Sequence, residues 1–123
     1  RIAPAGFRIL AAVDSVTRMA GSDLTITIAT DGEHAVGSPH QTGEAYDVSV
    51  HGLEPRRVVA IHQMLGRILG PEFTVLYEVP ETVGGALRPI ATVNRHATAP
   101  HFHLQRKKGT IYPPADELSA NVE

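Results

Sequence analysis

The sequence has 123 residues, 42% hydrophobic and 20% charged, which predicts one globular domain over residues 1–123 with a genuine core. Eleven Lys and Arg against 13 Asp and Glu leave no positive excess for phosphate groups, which argues against a nucleic-acid partner. No apolar run reaches the ~20 residues of a membrane span, and the absence of cysteine excludes disulfides and thiolate metal sites.

The first third of the chain changes from helical to alternating apolar spacing. Residues 5–20 predict an amphipathic helix, ended by Gly21. The apolar face of this helix is expected to consist of Phe7, Leu10, Val13 and Val16 or Thr17. Residues 23–30, "DLTITIAT", alternate apolar residues with threonine and predict a half-buried strand. Residues 31–43 are rich in glycine and lack periodicity, so they predict a loop.

The rest of the chain predicts one further helix among four strands. The helix covers residues 52–70, with Pro55 near its first turn. Its apolar face is expected to consist of Val58, Ile61, Leu65 and Ile68. The strands are predicted at residues 44–50, 72–79, 88–94 and 101–108. This order predicts an α+β domain with two main helices on one side of a mostly antiparallel sheet.

The histidines of the last strand have a fixed relation to each other. His101 and His103 are two positions apart in "HFHLQ", so both side chains project from one face of the sheet and Phe102 projects from the other. Asp47 lies on the strand at residues 44–50, and His40 lies in the loop just before it. These elements can bring two imidazoles and a carboxylate together.

Two imidazoles and one carboxylate are a ligand set that catalytic zinc uses, with the fourth position left to water. We therefore predict that His40, Asp47 and His103 bind Zn²⁺, and that Gly43 lets the loop turn sharply between the first two ligands. Each residue also has an ordinary structural interpretation as a surface or turn residue. The alternative is a histidine-rich sheet that holds no metal.

Two motifs resemble those of a known family. "SPHQTGEAYDVSV" at residues 38–50 resembles the S-x-H-x-x-G-x-A-x-D signature of the zinc D-alanyl-D-alanine carboxypeptidases and cell-wall endopeptidases, which share the hedgehog fold, and "HFHLQ" resembles their H-x-H motif. The resemblance implies the same three metal ligands, with His101 beside the metal. It also implies a peptidoglycan peptide as substrate and a bacterial envelope or phage setting.

The expected reaction is peptide-bond hydrolysis by zinc-bound water, which needs an acid or base beside the metal. His101 is our predicted acid/base because imidazole titrates near neutrality, and Glu78 of "VLYEVP" is the alternative. Ser38 is a candidate substrate-binding residue or a plain turn serine. Several family members carry a carboxylate a few residues before the last ligand, but residues 95–100, "RHATAP", contain none.

A second departure from the family concerns the substrate. Many members hold the substrate with an arginine in the loop before the first motif, whereas this chain has Glu33 and His34 there. A free substrate carboxylate would be repelled by Glu33, which favours an endopeptidase over a strict D,D-carboxypeptidase. The two departures also leave open a catalytically inactive zinc-stabilised binding or structural module of the same fold.

Overall fold

The computed structural model describes residues 4–21, 24–28, 45–81 and 87–107. Its helices are α1 (Pro4–Ala20) and α2 (Pro55–Leu69), and a short 3-10 turn covers Arg88–Ile90. Its strands are β1 (Thr25–Ile28), β2 (Ala45–Ser49), β3 (Phe73–Val79), β4 (Ala91–Val93) and β5 (His101–Arg106). Neither α1 nor α2 is long and apolar enough to cross a membrane.

The five strands form one sheet in the order β1-β2-β5-β3-β4. All neighbouring strands are antiparallel except β3 and β4, which are parallel. The prediction of an α+β fold with a mostly antiparallel sheet is therefore confirmed. β5, the last strand among the described residues, lies at the centre of the sheet and has a neighbour on each side.

The two helices form an antiparallel pair, and an arginine of each binds the end of the other. Arg8, near the start of α1, donates to the carbonyl of Ile68 in the last turn of α2. Arg57, in the first turn of α2, donates to the carbonyl of Ala20 at the end of α1. Because the last carbonyls of a helix lack partners within it and carry partial negative charge, both contacts stabilise the helix pair.

Both helices pack on one side of the sheet, which we call the apolar face. The largest fully buried side chains between the helices and this face come from α1, α2, β2 and β5. They include Tyr46, Phe102, Leu104, Ile9, Ile61 and Leu65. The expected face of α2 is confirmed at Val58, Ile61 and Leu65, and Ile68 is partly buried against the core. Leu69, which was not expected there, is also buried.

The expected face of α1 was wrong at Phe7, which is 61% exposed. Val13 and Val16 are buried as expected, and Leu10 is partly buried against the core. The rest of the buried face is formed by Ala5, Gly6, Ile9 and Ala12. Small residues at Ala5, Gly6 and Ala12 let α1 approach its neighbours closely, so a large ring is not needed to fill the space. Apolar spacing alone favoured the larger side chain of Phe7 over these small residues.

Candidate metal centre

Three strands bring four titratable side chains together on the side of the sheet away from the helices, which we call the polar face. In the strand register, Asp47 of β2 lies opposite His103 of β5, and Glu78 of β3 lies opposite His101 of β5. The four side chains are only 11% to 16% exposed. Charges at this depth interact more strongly than they would in water.

Asp47 and His103 form the first contact of the cluster. Nδ1 of His103 lies 2.9 Å from Oδ1 of Asp47. On the other side of the ring, Nε2 of His103 lies 2.8 Å from Oε1 of Gln105, two residues along the same strand. Gln105 therefore fixes the orientation of this imidazole from the side away from Asp47.

His101 and Glu78 form the second contact. Nε2 of His101 lies 2.9 Å from Oε1 of Glu78 and 3.9 Å from Oδ2 of Asp47. Nδ1 of the same ring lies 3.0 Å from the carbonyl oxygen of Ala99. The two oxygens of Asp47 thus face two different histidines.

Both rings have one outer and one inner nitrogen. The outer nitrogens donate to oxygens that can only accept, the carbonyl of Ala99 and the side-chain oxygen of Gln105. The inner nitrogens of His101 and His103 then carry no proton in the neutral rings, yet both face carboxylate oxygens. Such an arrangement needs a shared proton or a cation between nitrogen and oxygen, and an outer-nitrogen anchor is the usual support of a metal-ligating histidine.

The charges of the cluster shift the pKa values of its members in opposite directions. The hydrogen bond from His101 lowers the pKa of Glu78, although burial opposes this shift. The hydrogen bond to Glu78 raises the pKa of His101 against a smaller opposing effect of burial. For His103, burial is the largest single effect and lowers the pKa, but the hydrogen bonds to Asp47 and Gln105 with the nearby carboxylate charges raise it overall.

Asn94, just after β4, holds Glu78 in place. Its side chain hydrogen-bonds Glu78, its own side-chain oxygen accepts from the backbone N–H of His96 at 2.9 Å, and its backbone N–H donates to Val79 at 2.9 Å. Because the side-chain oxygen is used by His96, the amide nitrogen is the donor to Glu78. The carboxylate is thus oriented by His101 on one side and Asn94 on the other.

Asp47, Glu78 and His101 form a group able to hold a metal ion, since one ligand atom from each lies within 4.8 Å of the others. Oxygen and imidazole nitrogen are donors that zinc accepts, and the anchored histidine supports metal binding. The described residues therefore fit a divalent cation. The identity of that cation does not follow from the three ligands alone.

The predicted site residues have separate outcomes. Asp47 and His103 are in contact, whereas His40 and Ser38 lie outside the described residues. His101 and Glu78, which the sequence presented as alternative proton carriers, are hydrogen-bonded to each other. His101 lies beside Asp47 on the expected face.

The remaining histidines with described surroundings have structural roles. His62 on α2 stacks on Phe102 with ring centroids 6.2 Å apart, and its Nε2 lies 3.2 Å from the carbonyl of Val75. His51 and His96 are exposed in turns. His62 is therefore a packing residue, and His51 and His96 are surface residues.

Sequence reasoning missed Gln105 and Asn94. Gln105 continues the alternation of His101 and His103 along β5, so its side of the sheet could have been predicted from period two. Asn94 had no comparable signal. Its place beside Glu78 depends on the parallel pairing of β3 with β4, which juxtaposes Glu78 and Thr92.

Comparison of the chain with protein-family models, with curated proteins and with solved structures gave no match. The resemblance in the two motifs therefore stays an expectation from the residues themselves.

Proposed function

We propose that this protein is a zinc-dependent peptidase that hydrolyses peptide bonds of bacterial cell-wall peptidoglycan, as an endopeptidase or a D,D-carboxypeptidase. The observation that carries the proposal is the convergence of two carboxylates and two anchored imidazoles on the polar face. Burying four titratable groups is costly for folding, so the cluster is better explained by chemistry than by stability.

Asp47 and His103 are the proposed zinc ligands from the described residues, with His40 as the predicted third. In this role Nδ1 of His103 is the ligand nitrogen, because it faces Asp47 while Gln105 occupies Nε2. Zinc bound there would lower the pKa of a coordinated water to about 7 and polarise the scissile carbonyl.

His101 and Glu78 are the proposed proton-transfer pair. Nε2 of His101 lies 2.9 Å from Oε1 of Glu78, so a proton taken up by either group is shared by both. Ala99 fixes the His101 ring through Nδ1, and Asn94 orients Glu78. The pair can accept a proton from the attacking water and return it to the leaving amine.

The substrate class comes from the motif resemblance. Ser38 stays a proposed substrate-binding residue, and Glu33 remains the reason to favour an endopeptidase, since a free substrate carboxylate would meet a like charge.

The second candidate function is a zinc-stabilised binding or structural module without turnover. It is favoured by one observation: residues 94–100, which lead into β5, contribute to the cluster an amide from Asn94 and a carbonyl from Ala99, and no carboxylate. In this alternative Glu78 and His101 form only an ion pair.

The test combines metal analysis with hydrolysis of labelled peptidoglycan. We expect zinc to co-purify with the protein, and hydrolysis to stop with a chelator and return with added zinc. Asp47→Ala should lower zinc affinity and remove hydrolysis, while the exposed Asp14→Ala on α1 should change neither. Bound zinc without hydrolysis would favour the module, and no transition metal after metal-replete purification would contradict both proposals.

A further inference from the structure

The carboxylate of Asp47 is directed at two separate nitrogens. Oδ1 lies 2.9 Å from Nδ1 of His103, and Oδ2 lies 3.9 Å from Nε2 of His101. A carboxylate whose two oxygens face different donors has the geometry that bridges paired metal ions, which in two-metal hydrolases lie about 3.5–4 Å apart. The proposed zinc position uses only the Oδ1 side.

The Oδ2 side has its own set of ligands. Two atoms bound to one ion at about 2.1 Å can lie at most about 4.2 Å apart. The separations of His101 Nε2 from Glu78 Oε1, 2.9 Å, and from Asp47 Oδ2, 3.9 Å, satisfy this limit. One ligand atom from each residue lies within 4.8 Å of the others, so the two carboxylates must come within about 4.2 Å of each other when they bind one ion. Ala99 and Asn94 already orient two of these ligands from outside.

We propose that Asp47 Oδ2, Glu78 and His101 form a second position for a divalent cation such as Zn²⁺, and that filling it inhibits the peptidase. The inhibitory part depends on the proposed function, because the same two side chains are the proton-transfer pair. A cation between His101 and Glu78 takes the lone pair and the carboxylate oxygen that proton transfer needs.

The second position binds more weakly than the first because the two positions share Asp47. A cation already bound on the Oδ1 side of Asp47 repels a second positive charge a few ångströms away. Activation at low zinc and inhibition at high zinc follow from this order of filling.

The experiment is a zinc titration of metal-free protein by equilibrium dialysis, with peptidoglycan hydrolysis measured at each zinc concentration. We expect about two Zn²⁺ per chain at saturation, and about one in Glu78→Gln, which keeps the Asp47–His103 contact. His101→Gln is the second variant, should Glu78→Gln fail to fold. The matched control is Glu81→Gln, an exposed glutamate just beyond β3, which should still bind both ions.

The outcomes separate the second position from the proposed function. A wild-type protein that saturates at one ion overturns the second position, and if Glu78→Gln loses that single ion, the ion lies between Asp47, Glu78 and His101 instead. Two ions in Glu78→Gln also overturn it. Hydrolysis that is unaffected by the second ion contradicts inhibition. If the protein binds two ions but shows no hydrolysis at any zinc concentration, the second metal position is upheld. The proposed peptidase function and its inhibition are then both refuted.

Discussion

The two faces of the sheet are formed by the same strands, but burial of side chains favours folding on one face and opposes it on the other. On the apolar face of β5, Phe102 and Leu104 are fully buried against the helices, and their burial favours folding. On the polar face of β5, His101 and His103 are also largely buried, but beside carboxylates. Burying such charges seldom adds net stability, so the apolar face accounts for the fold and the polar face for the proposed chemistry.

The largest expected effect contrasts two neighbours on β5. Phe102→Ala should lower the free energy of unfolding by about 3–5 kcal/mol, because it leaves a cavity in the core. His103→Ala should lower it by about 1–3 kcal/mol in metal-free protein, since Asp47 loses a hydrogen bond. Denaturant unfolding measures both values.

Zinc sharpens this contrast. Ligand binding stabilises only the protein that retains the site, so added zinc should widen the deficit of His103→Ala and leave that of Phe102→Ala unchanged. If zinc changed the loss of unfolding free energy equally in both variants, zinc binding would not depend on the polar face more than on the apolar face.

The next effect separates the two histidines of the polar face. We expect His103→Ala to lose zinc at the first position, and His101→Ala to keep zinc there while hydrolysis falls by ~10²-fold or more, the usual scale for a positioned acid or base. Metal analysis and hydrolysis rates on the same samples test this. If His101→Ala hydrolyses normally while Glu78→Gln does not, the proton carrier is Glu78 alone.

How much the sequence predicts also differs between the faces. Alternation along β5 placed Phe102 in the core and both histidines on the other side, because period two is a local property of a strand. The contact of Glu78 with His101 could not be predicted from alternation, since it depends on β3 pairing with β5 in one register. The ring of His101 could not be oriented either, because its anchor is the carbonyl of Ala99 in an irregular segment.

The helices show the same limit. The buried side of α2 followed from its apolar spacing, whereas Phe7 was expected in the core and is exposed. Close packing selected a face with small residues on α1, and this choice depends on the surface opposite the helix. His40 and Ser38 lie outside the described residues, so their predicted roles stay predictions.

A smaller effect is expected at Asn94, which we treat as a positioning residue. Asn94→Asp keeps the oxygen that accepts from His96 but loses the donor to Glu78 and adds a like charge. Asn94→Ala loses both contacts without adding charge. If the role of Asn94 is to orient Glu78, hydrolysis should fall ~10-fold in Asn94→Ala, about the loss of one hydrogen bond to a charged group, and further in Asn94→Asp. If Asn94 only shapes the turn, Asn94→Ala should reduce hydrolysis more than Asn94→Asp, and neither variant should change the pH profile of hydrolysis.

The smallest expected effect is the pH dependence of stability in chelated protein. His101 is faced by Glu78 and Asp47 from the neighbouring strands, and its pKa is raised above the ordinary 6.5. Its contribution to stability is therefore complete below that value and is lost as pH rises through the raised pKa. The pKa of Glu78 is lowered from 4.5, so its contribution is present above that value and is lost as pH falls through the lowered pKa.

Metal-free protein should thus gain most from this pair between pH 4.5 and 6.5, and its melting temperature should decline as pH rises further. Glu78→Gln should flatten the decline, while the exposed Glu81→Gln should not. Zinc affinity should change in the opposite direction and rise over the same range, because ligand imidazoles must first lose their protons. A decline of equal slope in Glu78→Gln would mean that the His101–Glu78 contact contributes nothing to stability through its charges and does not persist in solution.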